Sequence, residues 1–463
     1  MGFNDFVRRG QLIVPFGVGA MIDFPEDTLM TAALDYWPYE SDLNSPEQKD
    51  AILEATKITD ARLQKRLSQK YKKQIKFFLA PTEGRRARGQ DGKHLSPMAF
   101  VRFPTMLTCP YCKVLKSYAL NVKKTPKCDS SVRGTSSSKG ILCSERKEYQ
   151  RAFMEPVRFL IACERGHIDD FPWVKWVHSG KECSEQNGTL FLRSTGAPGL
   201  AGTRVECTCG KKRTMEGAFT KGVIKKFLPD ECCTGRQPWL GNEYQWGTCE
   251  KDAVGEPRTI QRGSSSTHFS HIISSILIPP YSKAVRVYFD SKPALWDEIK
   301  EIFDEAPLSF INDKPYLPEA NVKEFRRKIK RSGFEYEVCL ETAANKYREI
   351  EEDTEALDED DISYRFREYG AFIGERPPVA DRGFFDINRI DLENYEYWIK
   401  SYFSSIVRVE QLKETRVFTG FSRLTPLSAG DRNEAPINLN RNIDWLPAAE
   451  VRGEGIFFQF KAD

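Results

Sequence analysis

Between Cys109 and Cys249 the sequence reads Cys109-Pro-Tyr-Cys112, Cys128, Cys143, Cys163-Glu-Arg-Gly-His167, His178, Cys183, Cys207-Thr-Cys209-Gly210, Cys232-Cys233 and Cys249. Eleven of the 12 cysteines and two of the five histidines fall in this stretch. The opening residues carry Asp5 ahead of Arg8-Arg9 with no long apolar run behind them, so no secretory signal is expected. A cytoplasmic, reducing compartment follows, where closely spaced cysteines serve as metal ligands more often than as disulfides.

Taken consecutively, the candidates form three quartets. Cys109, Cys112, Cys128 and Cys143 make the first. Cys163, His167, His178 and Cys183 make the second, and Cys207, Cys209, Cys233 and Cys249 the third. Structural zinc takes four thiolate or imidazole ligands in a tetrahedron. A close pair on a tight turn supplies two of them at little loop-closure cost, and a second pair arrives from elsewhere in the fold. Cys109/Cys112 is a knuckle-type pair, and Cys207/Cys209 is a comparable one. Cys232 competes with Cys233, and the turn glycine Gly235 favours Cys233. Up to three structural zinc ions are expected, leaving Cys232 and Cys339 outside the sets. A redox role for Cys109/Cys112 needs a βαβ context that the sequence does not offer.

Around this core of ligands the charge is skewed. The formal net charge is only +3. Residues 1–50 carry 3 bases and 9 acids, residues 51–260 carry 38 bases and 21 acids, and residues 261–463 are net −8. Lys123, Lys124, Lys127, Lys211, Lys212, Arg213, Lys225 and Lys226 form local basic clusters, with Tyr111, Tyr118, Phe171, Trp173 and Trp176 among them. Basic and aromatic interleaving suits phosphate contact and base stacking, which makes these eight cations candidates for nucleic-acid binding. Trp173 and Trp176 fit better as core residues, or as anchors for a partner, than as stacking platforms.

Further out, Gly17 and Gly19 predict a tight turn joining two short strands. The third glycine of a dinucleotide fingerprint is missing, since Ile22 stands there. Ser45-Pro46 predicts a helix start, with the helix running to about Leu67. Lys65, Arg66, Lys70, Lys72, Lys73 and Lys76 lie at its end, and a basic glycine-rich loop spans residues 84–92. Ile272 to Ile278 reads as a buried strand or short helix ended by two prolines, and residues 295–350 are helical in pattern. Residues 351–361 hold eight acids and read as a solvated loop. Three segments result: 1–100 with N-terminal strands and a basic helix, 101–262 with the cysteines, and 263–463 with the acidic loop. The expected fold is α+β in several parts, a zinc-stabilised, loop-rich cysteine region lying between mixed α/β segments.

Several functions are disfavoured. A mean hydropathy of −0.51 and the absence of an 18-residue apolar run argue against a transmembrane helix or membrane partner. No Walker A loop, nucleophile elbow or His-Glu-x-x-His motif is present. The chain is therefore expected not to be an enzyme and carries no predicted catalytic residue. The alternatives are a zinc-dependent hydrolase or nuclease working through Glu164, Asp169 or Asp170, and a scaffold with no DNA contact.

Several stretches together carry a resemblance. They are Arg8-Arg-Gly-Gln-Leu12, Gly17-x-Gly-Ala20, Leu34-Asp-Tyr-Trp37, the run from Arg158 to Trp173, and Cys233-Thr-Gly-Arg-Gln-Pro-Trp239. Gln261-Arg-Gly263, the run from Arg416 to Leu424, and Arg452-Gly-Glu-Gly-Ile-Phe457 complete the set. The chain resembles the DrmB family, the helicase-associated, zinc-binding component of the bacterial DISARM anti-phage system, over almost its whole length. The resemblance implies an accessory subunit partnered by a DrmA-like helicase ATPase and engaged with foreign DNA. A DNA methyltransferase and a phospholipase-D-like protein accompany such a pair. It also leads to the expectation of a further segment beyond Asp463.

Overall fold

The computed structural model describes residues 7–24, 27–40, 45–82, 98–132, 141–185, 188–241, 249, 256–305, 308–311, 314–352, 361–427, 434–438 and 443–461. The glycine-rich loop 84–92 and residues 353–360 of the acidic run 351–361 lie outside them. Helices and sheets are mixed, as an α+β fold requires. The chain forms two compact units that interleave along the sequence. Residues 1–56, 81–272 and 418–443 make one unit; residues 57–80, 273–417 and 444–463 make the other. The sequence reading divides the chain instead into three consecutive segments.

The first unit is built from small antiparallel sheets. Strand Phe159–Ala162 lies between Ile168–Asp170 and Arg258–Gln261. A six-stranded sheet runs in the order Lys212–Thr214, Thr203–Cys207, Leu190–Ser194, Val114–Ser117, Met106–Thr108, Glu155–Pro156. A third sheet joins Met21–Phe24, Asp27–Thr31 and Phe100–Arg102. The core between these elements holds Trp173, Trp176, Phe171, Phe159, Val205 and Met215. Both tryptophans are therefore core residues, each at most 1% exposed.

Gly17 and Gly19 do not join the two strands as expected; they precede both. Their role is close approach. A Cβ on Gly17 would stand 2.5 Å from the Phe418 ring, and one on Gly19, where φ is +79°, 2.4 Å from Phe421. A side chain at either position would overlap an aromatic ring.

The long helix expected from Ser45 to Leu67 is two helices, Pro46–Thr56 and Ala61–Tyr71. Lys57–Ile58 forms a strand between them, and the Asp60 carboxylate caps the second helix by accepting from the Leu63 amide at 3.0 Å. The β-branched residues Thr56, Ile58 and Thr59 favour this break, and Asp60 supplies the new start. The first helix belongs to the first unit and the second helix to the second.

The second unit carries a sheet ordered Phe269–Ile276, Phe403–Ser422, Trp445–Phe460, Phe77–Leu79, Lys57–Ile58, with Phe385–Arg389 beside Phe403–Ser422. The Ile272–Ile278 segment is thus a strand as far as Ile276. A hairpin of strands Ser309–Ile311 and Lys314–Tyr316 interrupts the expected helical stretch 295–350, and three helices, Pro293–Glu305, Glu319–Ile329 and Tyr336–Glu352, make up most of it. Trp296, Ile299, Ile302 and Phe303 line one face of the first of these and are buried with Phe289 and Phe325. Cys339 lies in that apolar core and bears no relation to the other cysteines.

Candidate metal centres

The first quartet forms on a hairpin. Strands Met106–Thr108 and Val114–Ser117 pair antiparallel, and Cys109 to Cys112 make the turn between them. The Tyr111 and Cys112 amides approach the Cys109 sulfur at 3.4 and 3.5 Å, an arrangement that favours a thiolate there. Cys128 and Cys143 come from outside the hairpin. Cys128 is fixed by its amide bond to the Ala152 carbonyl, and Cys143 opens a short 3₁₀ turn. The Sγ–Sγ distances are 3.9 Å for Cys109–Cys143 and 3.6 Å for Cys112–Cys128. A tetrahedron with 2.3 Å zinc–sulfur bonds has edges of about 3.8 Å, so the spacing suits one ion. Hydrogen bonding from Cys112, helped by the two amides, brings the Cys109 thiol down to about 5, while Cys112 is pushed up in return.

The second group gathers Cys163, His167, Cys233 and Cys249. Cys163 follows strand Phe159–Ala162 and His167 precedes Ile168–Asp170, so both stand on one hairpin turn. Gly166 takes φ +82° there, and a Cβ on it would come within 2.5 Å of Ala435. Cys233 reaches this turn because the Ile168 amide bonds to the Arg236 carbonyl at 3.0 Å. Its sulfur lies 3.5 Å from Cys163 Sγ and 3.4 Å from His167 Nδ1. The Cys249 amide bonds to the Cys233 carbonyl.

The third group gathers His178, Cys183, Cys207 and Cys209. His178 ends the helix Trp173–Val177, and its Nδ1 lies 2.7 Å from the Val174 carbonyl. Donation to that carbonyl leaves the Nε2 lone pair facing Cys209 Sγ at 3.2 Å, the usual way of orienting an imidazole ligand. Cys207 and Cys209 flank the turn between strands Thr203–Cys207 and Lys212–Thr214, with Gly210 at φ +90°. Cys183 Sγ is 3.6 Å from Cys207 Sγ.

All twelve expected residues thus fall into three groups of four, and within each group every ligand atom lies within 4.8 Å of the others. The first quartet is the one expected. The second and third exchange halves: Cys163 and His167 meet Cys233 and Cys249, while His178 and Cys183 meet Cys207 and Cys209. Consecutive pairing fails because the helix bearing His178 packs on strands Thr203–Cys207 and Lys212–Thr214. The Trp176 indole N–H donates to the Thr214 carbonyl at 3.0 Å. Cys232 lies outside the groups.

Two further residues support these groups. Gly188 faces the third, where a Cβ would stand 2.5 Å from Cys183 Sγ and 2.8 Å from Cys207 Sγ. Arg423 is fully buried, and its guanidinium donates to the carbonyls of Gly166 at 2.7 Å, Gly19 at 2.8 Å and Thr267. It therefore holds the turn that carries Cys163 and His167. Its only sequence signal is its place in the Arg416–Leu424 run.

The acids considered for catalysis have structural partners. Asp169 accepts from Arg236 at 2.6 Å and from the Thr234 hydroxyl at 2.6 Å. Asp170 accepts from the Met106 amide at 3.0 Å and lies 3.1 Å from Arg236, and burial raises its pKa. Glu164 pairs with Arg258 at 3.3 Å.

The basic candidates are dispersed. Lys123, Lys124, Lys211, Lys212 and Lys226 are exposed. Lys127 is half-buried and donates to the Glu148 carbonyl, and Lys225 pairs with Glu256 at 2.9 Å. Arg213 lies over the Trp176 ring at 3.7 Å and is half-buried. Of the aromatics among them, Tyr111 is exposed, whereas Phe171 is buried. No helix among the described residues is long and apolar enough to cross a membrane.

The chain is similar to the DISARM protein DrmB of Bacillus paralicheniformis, with 26% identity over 467 residues that span 95% of this chain and 67% of that protein. The resemblance read from the sequence motifs therefore extends along nearly all of the chain. A family model described as "Domain of unknown function (DUF8724)" matches residues 8–269, a span that contains all three cysteine groups, and the chain belongs to that family.

Proposed function

We propose that this chain is a non-catalytic, cytoplasmic subunit of a DISARM-type anti-phage system, which binds a DrmA-like helicase and helps hold foreign DNA. The observation that carries this reading is the similarity to DrmB along 95% of the chain. The three cysteine groups are the sites of structural zinc: Cys109, Cys112, Cys128 and Cys143; Cys163, His167, Cys233 and Cys249; His178, Cys183, Cys207 and Cys209. Four protein ligands complete a tetrahedral zinc ion and leave no open position for water, which suits a structural role. The ion pairs of Glu164 and Asp169 and the amide contacts of Asp170 favour a structural use of these acids over a hydrolase or nuclease.

In the system, a helicase ATPase supplies the chemistry, and a DNA methyltransferase marks host DNA. The exposed lysines Lys123, Lys124, Lys211, Lys212 and Lys226 contribute phosphate contacts. The test is co-expression with the helicase of the same gene cluster. Co-purification with close to three zinc ions per chain is expected. Absence of a complex at micromolar concentration overturns the partner assignment, and fewer than two zinc ions overturns the metal assignment.

A further inference from the structure

Residues 57–80 carry eight Lys or Arg and one acid. They belong to the second unit. There, helix Ala61–Tyr71 forms one wall of a cavity of about 740 Å³. Seven cations line it: Arg62, Lys65, Arg66, Lys76, Arg286, Lys346 and Arg367. Only two carboxylates do, Asp290 and Glu349.

Those two carboxylates are already shared. Arg286 contacts Asp290 at 3.2 Å and Glu349 at 2.9 Å, and Lys346 contacts Asp290 at 2.6 Å. Arg62 is anchored by Glu368 at 3.2 Å and lies over the Tyr364 ring at 3.7 Å. Arg66 lies over the same ring at 4.2 Å, and its ion-pair partner Asp361 is 86% exposed. An ion pair with so exposed an anion is weak and exchanges readily. Arg62 Nε and Arg66 Nη1 are buried donors that lack a hydrogen-bond partner. A buried donor left unpaired is costly, and a shift of either guanidinium towards an oxyanion in the cavity relieves that cost.

We propose that this cavity binds the phosphodiester backbone of single-stranded DNA, with Lys65, Arg66 and Lys76 meeting the phosphates and Arg62 setting the floor. The proposal rests on the DNA-engagement reading above and gives it a place that the sequence did not. Helix Ala61–Tyr71 faces the segment from Tyr281 to Trp296, Lys346 and Glu349 of helix Tyr336–Glu352, and Arg367. Walls from several segments suit a flexible single strand, whose backbone bends into the cavity, better than a stiff duplex. Guanidinium groups suit the work because they form paired hydrogen bonds with phosphate oxygens.

The test is fluorescence anisotropy on the full chain with a labelled 20-nucleotide oligothymidine across a salt series. Lys65→Glu alters an exposed position and preserves the fold; Lys65→Ala/Arg66→Ala removes two phosphate contacts. The double variant is expected to weaken binding about tenfold and to flatten the plot of log affinity against log salt by about 1.4. Lys123→Ala/Lys124→Ala in the other unit serves as the comparison. If the wild type binds and only that comparison variant weakens binding, the cavity assignment falls while DNA engagement stands. If the wild type binds no DNA, alone or with the helicase, both fall. If a nucleoside triphosphate competes as well as the 20-mer does, the site is a nucleotide pocket and the strand proposal is overturned.

Discussion

Gly188 shows how tightly individual positions are constrained around the third cysteine group. Any side chain there would overlap the sulfurs of Cys183 and Cys207. Gly188→Ala is therefore expected to cost about 1–3 kcal/mol and to lower zinc content by about one ion per chain, read by elemental analysis. Arg423 makes a second case. Its charge is fully buried, and burial brings its pKa down to about 9. Arg423→Ala leaves three carbonyls without their donors and is expected to cost about 3 kcal/mol or more in urea unfolding. A loss below about 1 kcal/mol would show that the guanidinium does not hold the Cys163–His167 turn.

His268 supplies a pH dependence. It is stacked on Phe421 at 4.7 Å, and burial, with Arg423 nearby, depresses its pKa to about 3. The unfolded chain protonates this ring near its ordinary value of about 6.5, while the folded chain does not. The unfolded state thus binds more protons below that value. Stability is expected to fall by up to about 1.4 kcal/mol per pH unit from pH 6.5 towards 3. His268→Phe should remove this component. An unchanged difference between pH 7 and pH 5 would show that the ring titrates normally.

Among the elements, turns carry the chemistry. Each cysteine group includes a short turn: Cys109 to Cys112, Cys163 to His167, and Cys207 to Cys209. Spacing reveals such pairs directly, because two ligands two to four residues apart depend only on local backbone. Helix limits are less legible. The break at Lys57–Ile58 divides what reads as one helix, and the Asp60 cap restarts it. Burial pushes the Asp60 carboxyl up to about 6, while the capping bond from the Leu63 amide is one that a neutral amide oxygen accepts equally. Asp60→Ala is expected to cost about 1 kcal/mol, whereas Asp60→Asn should retain most of that stability. Thermal denaturation of the two variants checks the order.

For the whole molecule, the two units differ in what stabilises them. The first holds all three cysteine groups, whereas the second packs Trp296, Ile299, Phe303 and Phe325 into an apolar core. Chelation should therefore abolish amide-exchange protection in Phe159–Ala162 and Thr203–Cys207. Helices Pro293–Glu305 and Glu319–Ile329 should keep theirs. Uniform loss of protection would show that the second unit also depends on metal.

Residue type and short spacing determined which twelve side chains cluster, because free thiols and imidazoles at close intervals suit metal ligation above other uses. They also determined the α+β class and, through the motifs from Arg8 to Phe457, the resemblance to DrmB. Only the tertiary structure decided which half-sites meet. The packing of helix Trp173–Val177 on strand Thr203–Cys207 brings His178 to Cys209, and the Ile168–Arg236 bond brings Cys233 to Cys163. Consecutive order cannot reveal this, since loop-closure entropy changes so slowly with length that near and distant pairs cost almost the same. The same holds for charge. The basic residues 57–80 read as neighbours of the cysteine region, yet the fold places them in the other unit, around a cavity of their own.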